Sequence, residues 1–460
     1  MLTGAYALAV FGAERGRVPS RPYPPSRVRS SVIKGAPGHV RERLPAMVAG
    51  LEVISESAAL DQVELWRSRL DDLLFRVGEH VFRREARMCL CDYVKGLLAQ
   101  VGRKNTWQIA EYVGHATPDG LQHLLARAVW DPEKVRDELR DYVTGHLGAD
   151  DGVLIVDETG FIKKGTASAG VSRQYTGTSG KVDNCQVAVF AAYASHRGRA
   201  LIDRELYLPK AWMDDPERCR AAGIPAEREF ATKPQIARGL LARLLEAGVP
   251  ARWIAADEAY GQDYRFRRGI EQLGVGYVLA VPKSQQVRAF GAMRRIEELI
   301  GLAPLDAWKR VSCGDGAKGP RLYDWVAAEL PLVPDHDYDA EPVGRWMLAR
   351  RSITDDLQIA YYLAYGPADT DAAELIRVAG ARWAIEECFQ AAKNETGLDQ
   401  YEVRRYPGWY RHVTLAMLAH AFLAVQAADA AERGAPQAIN PWSSTCQWRK
   451  SEGSWQLSAC

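Results

Sequence analysis

The chain has little surplus charge, few cysteines and no long apolar run, and each shortage excludes a class of protein. Lys+Arg 59 against Asp+Glu 58 leaves a net charge of +1 over 460 residues. No global positive field therefore draws the chain to nucleic acid, and a DNA partner has to be met by locally segregated charge. The eight cysteines contain no Cys-x2-Cys pair and no Cys/His cluster at zinc spacing, which excludes a zinc module and a disulfide scaffold. Cys89 and Cys91, the closest pair, read as helix packing, and the usage fits a reducing cytoplasm. Without 18 consecutive apolar residues no membrane span is predicted. The apolar opening, 2–13, lacks the charged lead and cleavage site of a signal peptide. What remains is 47% hydrophobic and 25% charged, the composition of an ordinary globular chain of two or three domains.

Residues 1–50 carry eight Arg/Lys against Glu14 and Glu42, with six prolines and no period. They read as a disordered basic tail, with Met47 as an alternative start. Residues 51–148 turn helical: after Leu65, the residues Leu70, Leu73, Leu74, Val77 and Val81 recur at steps of three and four. A second unit begins at Thr106, breaks at Gly114 and resumes after Thr117-Pro118-Asp119, with Pro118 expected at the first helical position. Its second helix, 120–129, presents Gln122, His123 and Arg127, as a helix-turn-helix would. Helical hairpins are common, and this region is mildly acidic, so the pattern alone marks only a candidate DNA-binding domain.

After Gly148 the rhythm changes to strands. Expected strands are 153–156, 187–193, 200–208, 253–256 and 277–281, with helices over 233–247 and 263–273. The order predicts a mixed α/β sheet covered by helices. Residues 285–366 interrupt it as a β-rich insertion, with strands at 321–328, 345–351 and 359–364. A long helix over 371–395 and an apolar one over 410–428 follow. The tail from 431 to 460 loses periodicity and reads as irregular and cut short.

Asp157 and Asp257 each follow an expected buried strand. Open α/β sheets bind ligands at strand carboxyl ends, so the two acids are positioned to share a metal. Their neighbours Glu158 and Glu258 leave the choice of ligand open, and an Asp at a strand end also serves simply to cap the next turn. In 382–393, Arg382, Glu386 and Lys393 are spaced by four and seven, on one helical face. Alone, that spacing equally describes an exposed ion-pair ladder.

Together these residues resemble the DDE transposases of bacterial insertion sequences, in the group whose glutamate helix carries Tyr-x2-Arg-x3-Glu-x6-Lys. Arg382, Glu386 and Lys393 match that spacing, while Ala379 stands at the tyrosine position. Similarity to the insertion-sequence 701 type extends through 156–165, 173–181, Asn184-Cys-Gln186, 253–261 and 386–401, covering about residues 50–430. The resemblance implies an RNase H-like mixed sheet flanked by helices over 149–400, with the β-rich insertion between the second Asp and the Glu. It adds an N-terminal helical domain and a C-terminal helix over 401–430. Asp157, Asp257 and Glu386 are implied as catalytic residues and as ligands of two Mg2+ or Mn2+ ions, whose preference for oxygen they suit.

Lys163, Lys164, Arg173 and Lys181 lie between Thr159 and Asp183 with no acid among them. With Arg382 and Lys393 they are expected to hold DNA phosphates. Trp308 or Trp325 offers a surface for an unpaired base, with core packing as the competing role. The implied activity is cleavage and strand transfer at insertion-sequence ends. Its partners are double-stranded DNA, the terminal inverted repeats and target DNA, with a homodimer forming on the DNA in the bacterial cytoplasm at the nucleoid. Two other readings stay open: a catalytically inactive DNA-binding remnant or regulator of a mobile element, and a carboxylate-pair hydrolase such as a glycosidase.

Overall fold

The computed structural model describes residues 56–433, without 290, 317, 318, 331–342 and 356, together with 446–451 and 454–459. The expected basic tail over 1–50 lies outside the described residues.

Among the described residues five helices come first: α1 (Glu56–Gly78), α2 (Arg84–Leu98), α3 (Thr106–Val113), α4 (Asp119–Ala126) and α5 (Pro132–Leu147). The spacing of apolar residues carries through to packing. Leu70, Leu73, Leu74, Val77 and Val81 are buried, while Leu65 stays partly exposed. Asn105 caps α3 by accepting from the Gln108 N–H at 2.9 Å, and Gly114 ends it in the left-handed region at φ 77°. A side chain there would strain the turn that sends the chain into α4. Pro118 is the cap of α4 rather than its first residue, one position from the expectation.

The main sheet contains β1 (Val153–Ile162), β2 (Ser172–Thr176), β3 (Lys181–Ser195), β4 (Gly198–Tyr207), β5 (Trp253–Ala256) and β6 (Gly276–Val281). It continues through β9 (Lys309–Gly316), β10 (Gly319–Glu329), β11 (Val343–Arg351) and β12 (Ile359–Pro367). The order is β2-β3-β1-β5-β6-β12-β11-β10-β9, with β4 also on β3. Strands β1, β5 and β6 are parallel, and β3 and β4 are antiparallel to their neighbours. The parallel strands are apolar on both faces because helices cover both. On one side these include α6 (Lys233–Glu246) and α7 (Tyr264–Gln272), on the other α8 (Ala372–Ala381) and α9 (Trp383–Thr396).

The segment expected as an insertion does not interrupt the sheet. Tyr361 to Tyr365 of β12 pair antiparallel with β6, so β9–β12 prolong it and satisfy a strand edge that would otherwise lie open. The hairpin β7 (Gln286–Ala289) and β8 (Ala292–Arg295) pairs outside this sheet. With the short helix Ile296–Ile300 it packs through Val287, Ile296 and Leu299 on Val281, Val326, Met347 and Leu363 of the sheet, as a second small core. The long helix expected over 371–395 is two helices, α8 and α9, meeting at Arg382.

Helix α10 (Tyr406–Glu432) is long and apolar enough to cross a membrane, but 72% of its apolar window is buried inside the fold. It packs on α5 and β4 as a core helix. Beneath it Arg204 is fully buried. It holds Glu133 with two nitrogens, at 2.8 and 3.1 Å, and donates to Thr414 Oγ1 at 3.0 Å. Buried Asp203 accepts from Arg136 and Arg243. These charges join the helical unit to the sheet within one shared hydrophobic core. Residues 446–451 and 454–459 pair as an antiparallel hairpin where irregular chain was expected. Their alternation across a Glu-Gly step is a hairpin signal too short to stand out in sequence.

Candidate active site

The parallel ladder between β1 and β5 ends at Val156 opposite Ala256, and the next residue on each strand is an aspartate. Asp157 and Asp257 therefore stand side by side where two neighbouring strands stop pairing. The expected end of β1 at Val156 is not its end. The strand runs on to Ile162 against β3, so Asp157 is fixed within an extended segment rather than at a loose terminus. Asp257 also caps the turn Glu258–Gly261, accepting from the Ala259 N–H at 2.9 Å. It fills the capping role and lies beside Asp157 at once.

The electrostatics of the pair are costly. Burial, then Asp257 and Glu158, push the Asp157 carboxyl up to about 8. Burial and Glu158 raise Asp257 as well. A carboxylate held there calls for a cation or a proton. Arg382 supplies part of that charge: Nη1 lies 3.8 Å from Asp157 Oδ2, and Nη2 holds Glu386 Oε1 at 2.8 Å. One guanidinium thus brings the third acid within reach of the first. The spacing of 382 and 386 forms an ion pair, as the ladder reading required, and that ladder ends on Asp157. Ala379, at the tyrosine position, is buried in α8.

Of the two acidic neighbours, Glu258 is exposed and Glu158 is engaged. Lys233 Nζ lies 2.6 Å from Glu158 Oε1, and the hydroxyl of fully buried Tyr260 donates to Oε2 at 2.6 Å. Lys233 and Tyr260 went unnoticed in the sequence. The only signal was the Asp157-Glu158 doublet, whose second acid needs partners once buried.

The basic residues divide. Lys393 Nζ donates to Thr159 Oγ1 at 2.7 Å and Thr178 Oγ1 at 3.3 Å, two residues along β1 from Asp157. Thr178, in the turn between β2 and β3, also donates to Gly160 O, so that hairpin leans on β1. Arg173 and Lys181, on its strands, and Lys164 are exposed. Lys163 is half-buried over the Tyr401 ring, 3.4 Å from its centroid, and burial lowers it to about 8. It acts in packing as much as at the surface. Trp325 is buried beside Tyr362, and Trp308 is half-buried with Arg351 over its ring, so packing accounts for both.

The aspartate pair suits a hard divalent cation: all donors are oxygens and negative charge is crowded. Glu386 is drawn to Arg382, and among the described residues no three His, Cys, Asp or Glu side chains close on one point as metal ligands.

Residues 76–296 match the family model described as DDE superfamily endonuclease, and residues 225–422 the model described as transposase DDE domain. A protein of Microchaete diplosiphon named probable transposase for insertion sequence element IS701 is 27% identical over 319 residues. That match covers 68% of this chain and 76% of the relative. The mixed sheet flanked by helices is consistent with the RNase H-like fold of such enzymes.

Proposed function

We propose that this chain, whose residues 76–296 and 225–422 match the DDE endonuclease and DDE transposase models, is a DDE transposase that cleaves DNA at the ends of an insertion sequence and joins the freed 3′-hydroxyl to target DNA. Asp157, Asp257 and Glu386 are the catalytic and metal-holding residues in this reading. The observation that carries it is the placement of Asp157 beside Asp257, with Glu386 tied to the same point by Arg382.

Two divalent cations held there would supply activation of the attacking hydroxyl and stabilisation of the leaving oxygen. The protein's task is positioning. Asp157 is held by the β1 ladder and Asp257 by its cap, at the ends of neighbouring strands, so the two acids can share a cation. Arg382 at the start of α9 and Lys393 near its end reach Asp157 and Thr159 of β1, and can hold the phosphates that flank the cut. Lys163, Lys164, Arg173 and Lys181 extend that grip along β1 and the neighbouring hairpin. The partners are double-stranded DNA, the terminal inverted repeats and target DNA, met in the bacterial cytoplasm, with two copies acting on paired ends.

The test is nicking of a duplex carrying the element's terminal repeats by the purified chain, with Mg2+ or Mn2+. Cleavage that disappears in Asp157→Ala, Asp257→Ala and Glu386→Ala supports the assignment. Equal cleavage by Asp157→Ala would sink it, and salt-dependent binding with no cleavage by any form would assign the chain to the regulator reading.

A further inference from the structure

Strand β1 leaves the carboxylates at Asp157 and ends at Ile162, delivering Lys163 and Lys164 into a loop. An open cleft of about 730 Å³ lies there. Its walls come from three distant parts of the chain: Lys164 after β1, Asn105 and Gln122 from the helical hairpin, and Tyr401 and Arg404 before α10. Lys164, Gln122 and Arg404 are exposed. None of these three makes a side-chain hydrogen bond, ion pair or ring contact with another described residue. Polar ends left free by the fold at one cleft are available to a ligand, and two of the three are cations. Glu402 is the single acid among the lining residues.

The cleft also continues a line of charge. Arg382 stands beside Asp157, Lys393 beside Thr159, and Lys163 and Lys164 at the end of the strand. From Asp157 to Lys163 is six residues of extended chain, about 20 Å at ~3.3 Å each. At ~3.4 Å per base pair that is the rise of about six base pairs of duplex. Lysine and arginine on phosphates fix register without reading sequence, whereas a glutamine can pair with an adenine edge. Gln122 lies on α4, the second helix of the hairpin, where a reading helix would be carried.

We infer that this cleft receives the DNA duplex about six base pairs from the bond that is cut, with Lys164 and Arg404 on phosphates and Gln122 at a base edge. The length of β1 then sets the distance between the contact that recognises the end and the site that cleaves it. This rests on the DNA-cleaving function proposed above and adds where the duplex lies.

The experiment is binding of a terminal-repeat duplex to the full chain in EDTA, followed by fluorescence anisotropy over a salt series. In Lys164→Ala/Arg404→Ala the slope of log affinity against log salt is expected to fall by about two. Ethylation of phosphates about six base pairs inside the cut should block binding to the parent protein and not to this variant. Gln122→Ala should keep the parent slope and lose about tenfold of the preference for the end over a scrambled duplex. Both cations are exposed and unpartnered, so folding is not at stake, and Lys164→Arg should restore its share of the slope. An unchanged slope, or interference only at other phosphates, overturns the cleft assignment and leaves the cleavage reading standing. If the parent chain shows no salt-dependent binding at all, the cleavage reading itself fails.

Discussion

The Arg382 guanidinium stands 3.8 Å from the Asp157 carboxylate, and its other nitrogen holds Glu386 at 2.8 Å. The same oxygens that would hold a divalent ion are therefore partly neutralised by a side chain of the protein. A cation in that position competes with metal as well as gripping DNA. We expect Arg382→Gln to bind Mn2+ more tightly in the absence of DNA, by on the order of tenfold, while nicking falls at least about tenfold. Calorimetric Mn2+ titration beside a nicking assay checks both. Unchanged metal affinity would mean that the guanidinium does not compete.

Asp157 carries the clearest energetic signature of the site. Burial, Asp257 and Glu158 lift its carboxyl to about 8. A group whose folded value lies above its unfolded value stabilises fully below the unfolded value, near 3.8, and that stability is lost as pH rises through 8. The metal-free protein should thus weaken between pH 4 and 8, and Asp157→Asn should not share that part of the loss. In EDTA at pH 8 the variant is expected to be more stable than the parent by on the order of 2 kcal/mol. Adding Mg2+ should stabilise the parent and leave the variant nearly unmoved. Urea denaturation at several pH values reads this, and a less stable variant would contradict the crowding argument.

The segments carrying Asp157, Asp257 and Glu386 were legible because each sits at a change of pattern that sequence records. An all-apolar run closing on an acid is what a buried parallel strand looks like, so Asp157 and Asp257 stood out. The Arg382–Glu386 spacing is a local helical property and survived even the break between α8 and α9. What could not be read was pairing across long separations. That β12 joins β6 depends on an edge left open eighty residues earlier, and no local pattern states it. Glu158 was visible, but its partners Lys233 and Tyr260 are set by the fold. Lys163 looked like a free cation because sequence does not show that Tyr401 lies under it.

The contact between Arg204 and Glu133 joins the N-terminal helices to the sheet. Arg204 is fully buried and Glu133 meets it with both oxygens, at 2.8 and 3.1 Å. Glu133→Ala would leave a buried guanidinium with Asp203 as its nearest acid, 3.7 Å away. Removing one partner of a buried pair is strongly destabilising, and because Glu133 is itself half-exposed we expect about 2–3 kcal/mol. Thermal melting should show this loss, while the folded fraction at low temperature nicks DNA at the parent rate. A melt indistinguishable from the parent would show that the contact carries little of the join.

Glu158 tests whether the neighbourhood of the aspartates matters beyond the aspartates themselves. Tyr260 and Lys233 each meet one of its oxygens at 2.6 Å, and its charge raises both Asp157 and Asp257. Lys233→Met removes the cation and leaves that charge uncompensated. The acid limb of the nicking rate should then move to higher pH, by about one unit. Tyr260→Phe keeps the cation and loses one hydrogen bond. Its cost should be about 1–2 kcal/mol of stability, with a smaller shift in the pH profile and a fall in kcat without change in the KM for DNA. The two variants separate charge from position. If both lower the rate equally with no movement of the acid limb, Glu158 acts on the site through packing alone.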